Sequence, residues 1–103
     1  MATYLVSYHG GSGPPTSPEA AQQMMAAFQA WVASVGEGMV DPGAPLGAAR
    51  TVSPSGVSDG GAGPDGYSVI RADDLDAAVA LVKGHPFIAR GGTLVVSEAV
   101  AVR

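Results

Sequence analysis

The chain has 103 residues, 47% of them hydrophobic, with five basic against nine acidic side chains and a formal charge of -4. That length supports one domain, residues 1–103, with a modest core. A weakly acidic chain without a basic cluster is a poor candidate for binding phosphate backbones, so no nucleic-acid partner is expected.

The absence of cysteine removes disulfides, thiolate chemistry and cysteine–zinc sites. The opening MATYLVSYHGG lacks a basic segment followed by an apolar one, and the longest apolar run, Ala77 to Val82, is too short to cross a bilayer. The expectation is a soluble cytoplasmic protein with no membrane partner.

Thr3 to Tyr8 is β-prone and bounded by His9-Gly10-Gly11, which predicts a first strand. A loop dense in Gly, Pro and Ser follows. Ser17-Pro18-Glu19 then supplies an N-cap, a proline at the first helical position and a carboxylate at the helix's positive end. Met24, Phe28, Trp31, Val32 and Val35 fall on one helical face, predicting a helix from Pro18 to Val35 that stops at Gly36. Trp31 and Met24 are assigned to packing.

Met39-Val40 starts a strand. Ala49 to Ser53 and Val57 to Asp59 flank Pro54-Ser55-Gly56 as a short hairpin arm, because proline pre-sets one turn angle and glycine relieves the next. A loose loop spans Gly60 to Gly66, and Tyr67 to Ala72 is the third core strand. Asp73 or Asp74 caps a second helix whose face is Leu75, Ala78, Val79 and Val82. It ends at Gly84, and Pro86 forbids continuation. Thr93 to Val102 is the last strand.

The order β-α-β-β-α-β predicts an α+β fold: a ferredoxin-like sandwich with a hairpin insertion and both helices on one sheet face. In the first strand Tyr4, Val6 and Tyr8 lie on one side, with Thr3, Leu5 and Ser7 on the other. In the last, Leu94, Val96, Val100 and Val102 alternate with Val95, Ala99 and Ala101. Such strands barely alternate apolar with polar, so a second copy of the chain is expected over the other face.

LVSYHGG, GAPLGAARTVSPSGVSDGG and GYSVIRADDLDAAVALVKGHPFIARGG resemble the YCII-related proteins, especially their DGPF-domain branch. The resemblance spans nearly the whole chain and implies a dimeric α+β barrel, two ferredoxin-like sheets packed face to face around a cleft. Family members are thought to use a His–Asp pair, with histidine on the first helix and aspartate just before a proline after the second. Here the first helix holds no histidine, the residue before Pro86 is His85, and Asp59-Gly60 is followed by Gly61-Ala62. The family's acid–base pair therefore does not transfer residue by residue.

The residues themselves still offer candidates. His85, at the forced bend after the second helix, is an imidazole able to act as general acid or base. It could equally bond the carbonyls that end that helix. His9 ends the first strand beside a glycine-rich loop, where it could meet Arg50 or Asp41, or be an ordinary loop histidine. Arg50 offers a planar fork for a carboxylate, or a surface charge on the hairpin. Tyr8 and Tyr67, with Tyr4, offer apolar bodies with hydroxyl tips for a pocket between sheets, or simply dimer core. The run His9-Gly10-Gly11-Ser12-Gly13 lacks the ending and spacing of a phosphate loop. No metal-ligand spacing and no G-x-S-x-G elbow is present, and no cofactor is expected.

Two functions follow. One is a non-enzymatic homodimer that binds a small ligand or serves as an accessory regulatory partner; the resemblance also implies a link to an alternative sigma factor. The other is a cofactor-free enzyme moving a proton on a small acidic or aromatic metabolite, with His85 or His9 as base and Arg50 orienting an anion. The missing His–Asp pair favours the first.

Overall fold

The computed structural model of the protein describes residues 1–10, 15–61 and 63–101. Its elements run β1 (Ala2–Gly10), α1 (Pro18–Val35), a 3-10 turn (Gly36–Gly38), β2 (Met39–Pro45), β3 (Arg50–Ser53), β4 (Gly56–Asp59), β5 (Gly66–Ala72), α2 (Leu75–Val82), α3 (Pro86–Ala89) and β6 (Gly92–Glu98). β2, β5, β1 and β6 form one antiparallel sheet in that spatial order. The two strands β3 and β4 form a separate hairpin. This is the ferredoxin-like α+β arrangement that the element order predicts, with its hairpin insertion.

Local chemistry sets the helix ends. Ser17 Oγ accepts the N–H of Ala20 at 3.1 Å, Pro18 occupies the first turn, and Gly36 closes α1 at φ 65. Asp74 Oδ1 accepts the N–H of Ala77 at 2.8 Å and so starts α2. Trp31 and Val35 of α1 and Ala78 and Val82 of α2 pack on Tyr4, Val6, Ile70 and Ala72 of the sheet. Trp31 Nε1 also donates to the Leu81 carbonyl at 3.0 Å, which ties α1 to the end of α2.

Four expectations change. Leu75 and Val79 are exposed, and the covered side of α2 runs through Ala77, Ala78, Leu81 and Val82 instead. Ala78 and Val82 keep the predicted face, and a small rotation of the helix brings Ala77 and Leu81 beside them in place of Leu75 and Val79. Pro86, which stops α2 as expected, opens a further short helix, α3, before the last strand, since its fixed φ suits a first helical turn. The last strand ends at Glu98; Ala99 to Ala101 belong to no strand, and Val102 lies outside the described residues, as do residues 11–14 of the glycine-rich loop.

The fourth concerns the sheet faces. Pairing Tyr4 with Ile70 and Val6 with Ser68 and Val96 puts these residues under the helices, and Val6 is fully buried there. The opposite face carries Leu5, Val69 and Val95, interleaved with Ser7, Thr93, Ser97 and Tyr67. It is therefore half polar, less apolar than the strand sequences imply. The molecule is a slab of 43 × 42 × 19 Å with this face uncovered.

Candidate functional site

Two clusters form on opposite faces of the sheet. On the helix side, the N–H of Phe87 donates to His85 Nδ1 at 3.0 Å, because His85 is the N-cap of α3. The proton must then sit on Nε2, which donates to the Tyr8 hydroxyl at 3.0 Å. Tyr8 in turn bonds Ser68 Oγ, and Ser68 donates to the Pro42 carbonyl at 2.7 Å. Since the Ser68 proton is committed to Pro42, Tyr8 donates to Ser68. One directed chain of hydrogen bonds thus runs from α3 through β1 and β5 to β2.

Aromatic rings enclose this chain. The imidazole of His85 lies 4.3 Å from Trp31, 4.8 Å from Tyr8 and 5.8 Å from Phe28 between ring centroids, and Phe87 stacks on Tyr8 at 5.4 Å. Gly92 makes room for Phe87, since a Cβ there would lie inside its ring. Only 5% of His85 is exposed, and burial lowers its pKa to about 4. Burial likewise raises that of Tyr8, partly offset by its bond to Ser68.

His85 is therefore not the end-cap of α2 that its position suggests. Its side chain accepts from the start of α3, and only its backbone N–H reaches back, to Val82 O at 2.9 Å. A neutral imidazole with both nitrogens engaged has no free lone pair for a substrate proton. Ser68 was missed in the sequence, although a signal existed. Strand alternation places it with Gly66, Ile70 and Ala72 on the inward side, and a serine buried there needs a partner.

The other cluster lies on the uncovered face. Asp41, Pro42 and Gly43 form a bulge in β2, where the register with β5 shifts. Gly43 sits at φ 79, and any Cβ there would collide with the Tyr67 carbonyl. Its N–H donates to Asp41 Oδ1 at 2.9 Å, leaving Oδ2 to accept the Tyr67 hydroxyl at 3.3 Å. Tyr67 pairs with Ser7 across β1, and His9 Nε2 lies 3.0 Å from Ser7 Oγ. A polar row Asp41–Tyr67–Ser7–His9 thus crosses three strands beside the exposed Leu5 and Val95.

Arg50 stands apart from both clusters. On the exposed hairpin its Nε lies 3.6 Å from Asp59 Oδ1, while His9 engages Ser7. A concavity of about 350 Å³ lies near Val35, Ala77, Ala80 and Leu81, and none of the candidate side chains lines it. Among the described residues no three His, Asp or Glu gather as metal ligands would, and no helix is long and apolar enough to cross a membrane.

No protein-family model matches this sequence. No curated protein matches it either. Among solved structures it is similar to 5-chloro-2-hydroxyhydroquinone dehydrochlorinase from Burkholderia phenoliruptrix AC1100, in complex with 2,5-dihydroxybenzoquinone. The TM-score is 0.57 at 18% identity, over 97% of this chain and 95% of that one. The two share an α+β fold. At that identity the likeness carries the fold and not the chemistry.

Proposed function

We propose that this chain is a YCII-related, DGPF-like protein that acts as a homodimer and binds a small aromatic molecule on the uncovered face of its sheet. The observation that carries this reading is the polar row Asp41–Tyr67–Ser7–His9 set beside exposed Leu5 and Val95. Apolar walls with a few convergent polar groups are what small-molecule sites require. The similar solved structure holds 2,5-dihydroxybenzoquinone, a small hydroxylated ring of the proposed class. An accessory regulatory role, including the sigma-factor link, rests on the family resemblance alone.

Surface area favours a second copy. The protomer exposes 6942 Å², against about 5,300 Å² for a compact monomer of its mass. The excess is larger than the roughly 800 Å² that each partner contributes to a standard interface.

A second reading, a cofactor-free enzyme that moves a proton, has one observation in its favour. His9 lies on the open face beside Ser7, so it, and not His85, would be the base. Screening hydroxylated aromatic and acidic metabolites by thermal shift, with mass spectrometry of each hit, tests both. Binding without turnover is expected. Turnover that disappears in His9→Gln would establish the enzyme, and a protein that binds none of the panel and sediments as a monomer would end the first reading.

A further inference from the structure

The β3–β4 hairpin has no visible reason to be ordered in one protomer. All eight of its strand residues are exposed, and its regular pairing is internal to the two strands. Two-stranded hairpins are at best marginally stable in water, so a folded one normally leans on something. The register puts Val52 opposite Val57, and the alternation places this pair on the same side as Arg50 and Asp59. Thr51, Ser58 and Ser53 take the other side. Val52 is 77% exposed and Val57 65%, among the most exposed large hydrophobic side chains of the described residues. A cross-strand valine pair on one face and hydroxyls on the other is the pattern of a ribbon with one side against protein.

We infer that the β3–β4 arm reaches across to a second copy of this chain, laying Val52 and Val57 on that copy's uncovered sheet face and so walling its ligand site. The inference rests on the homodimer proposed above and adds where each subunit's site gets its missing side. The occupant is a second copy because the surface in question is large and already present on the same chain. The radius of gyration is 15.1 Å, where a compact domain of this length has about 13 Å. The protomer is expanded as well as overexposed, as expected of a chain that completes its packing in an assembly.

Geometry also fits. The arm leaves the sheet where β2 ends and β5 begins, at the Pro45–Gly66 pair. That end is fastened to β1: Asp65 N–H donates to the Tyr8 carbonyl at 2.6 Å, Asp65 Oδ2 accepts the Gly10 N–H at 2.8 Å, and Leu46 N–H donates to Asp65 O at 2.9 Å. The arm's root is therefore fixed at the end of β1 that holds His9, and a two-fold axis would exchange arms reciprocally, each subunit giving and receiving one. On the receiving face Leu5 and Val95, 42% and 45% exposed, supply the apolar ground for the valines.

The test uses two measurements on the full chain. The double variant Val52→Asp/Val57→Asp changes only side chains that touch solvent in the protomer, so it should fold. By analytical ultracentrifugation its dimer dissociation constant should rise about tenfold or more, since two apolar side chains per arm become charged. The chain lacks cysteine, so Ser55→Cys carries a single nitroxide label. In mixed dimers, prepared by refolding labelled chains with nitrogen-15-enriched unlabelled ones, the amide signals of Leu5 and Val95 in the enriched subunit should broaden. A native dimer that shows no such broadening, or that the double aspartate variant leaves equally tight, overturns the arm inference and leaves the homodimer standing. A native protein that stays monomeric removes both.

Discussion

His85 Nε2 lies 3.0 Å from the hydroxyl of Tyr8, a residue 77 positions earlier in the chain. The contact joins the start of α3 to the middle layer of the sheet. Together with the Phe87 N–H bond to Nδ1, it makes the imidazole neutral and a donor at Nε2, which is a structural assignment rather than a catalytic one. An end-cap on the surface would be worth about 1 kcal/mol or less. A buried imidazole with two hydrogen bonds and four neighbouring rings is worth more. His85→Asn should cost roughly 2–4 kcal/mol in denaturant unfolding. A loss below about 1 kcal/mol would return His85 to the surface-cap role.

Acid should act through the same group. The folded pKa of His85 is about 4, lowered by burial from 6.5. Below pH 6.5 the unfolded chain therefore binds a proton that the folded chain refuses, so this contribution is complete above 6.5 and is lost as the pH falls toward 4. Unfolding free energies measured from pH 7 to 4 should fall more steeply for the native protein than for His85→Asn. An NMR titration placing the His85 midpoint near 6.5 would contradict the buried, neutral assignment.

Gly43 tests the bulge that builds the polar row. Its positive φ and the close Tyr67 carbonyl leave no place for a methyl group. Gly43→Ala should cost about 3 kcal/mol or more through strain and backbone displacement. It should also release Asp41 from Tyr67, visible as a shift of the Tyr67 ring signals. An unchanged midpoint and spectrum would mean that β2 does not bulge at this residue.

Leu5 and Val6 separate association from folding. They are sequence neighbours on opposite faces, Leu5 uncovered and Val6 fully buried. Leu5→Asp should leave the fold intact by circular dichroism while shifting sedimentation toward monomer. Val6→Asp should unfold the protomer, because an unpaired carboxylate under the helices has no hydrogen-bonding partner. Equal effects on folding would mean that both faces of β1 are covered within one chain.

Much of the fold was legible in the residues, because its signals are local. Ser17-Pro18 and Gly36 delimit α1 through bonds spanning a few positions, and the Trp31 stripe declares its inner face. Pro54-Ser55-Gly56 likewise announces the hairpin turn between β3 and β4. Helix α2 was legible in its limits but not in its rotation. Its covered side, Ala78 and Val82 with Ala77 and Leu81, is set by packing in the core and not by local spacing. The His85 network was hidden for a related reason. Nothing near His85 in sequence indicates Tyr8, Ser68 or the Pro42 carbonyl, which strand order β2-β5-β1 brings together. Composition and spacing determined which side chains could do chemistry. The antiparallel register decided that Tyr8 and Ser68 turn inward, where they meet His85 in a closed set of hydrogen bonds, while His9 and Tyr67 face outward, because successive strand residues point to opposite sides of the sheet.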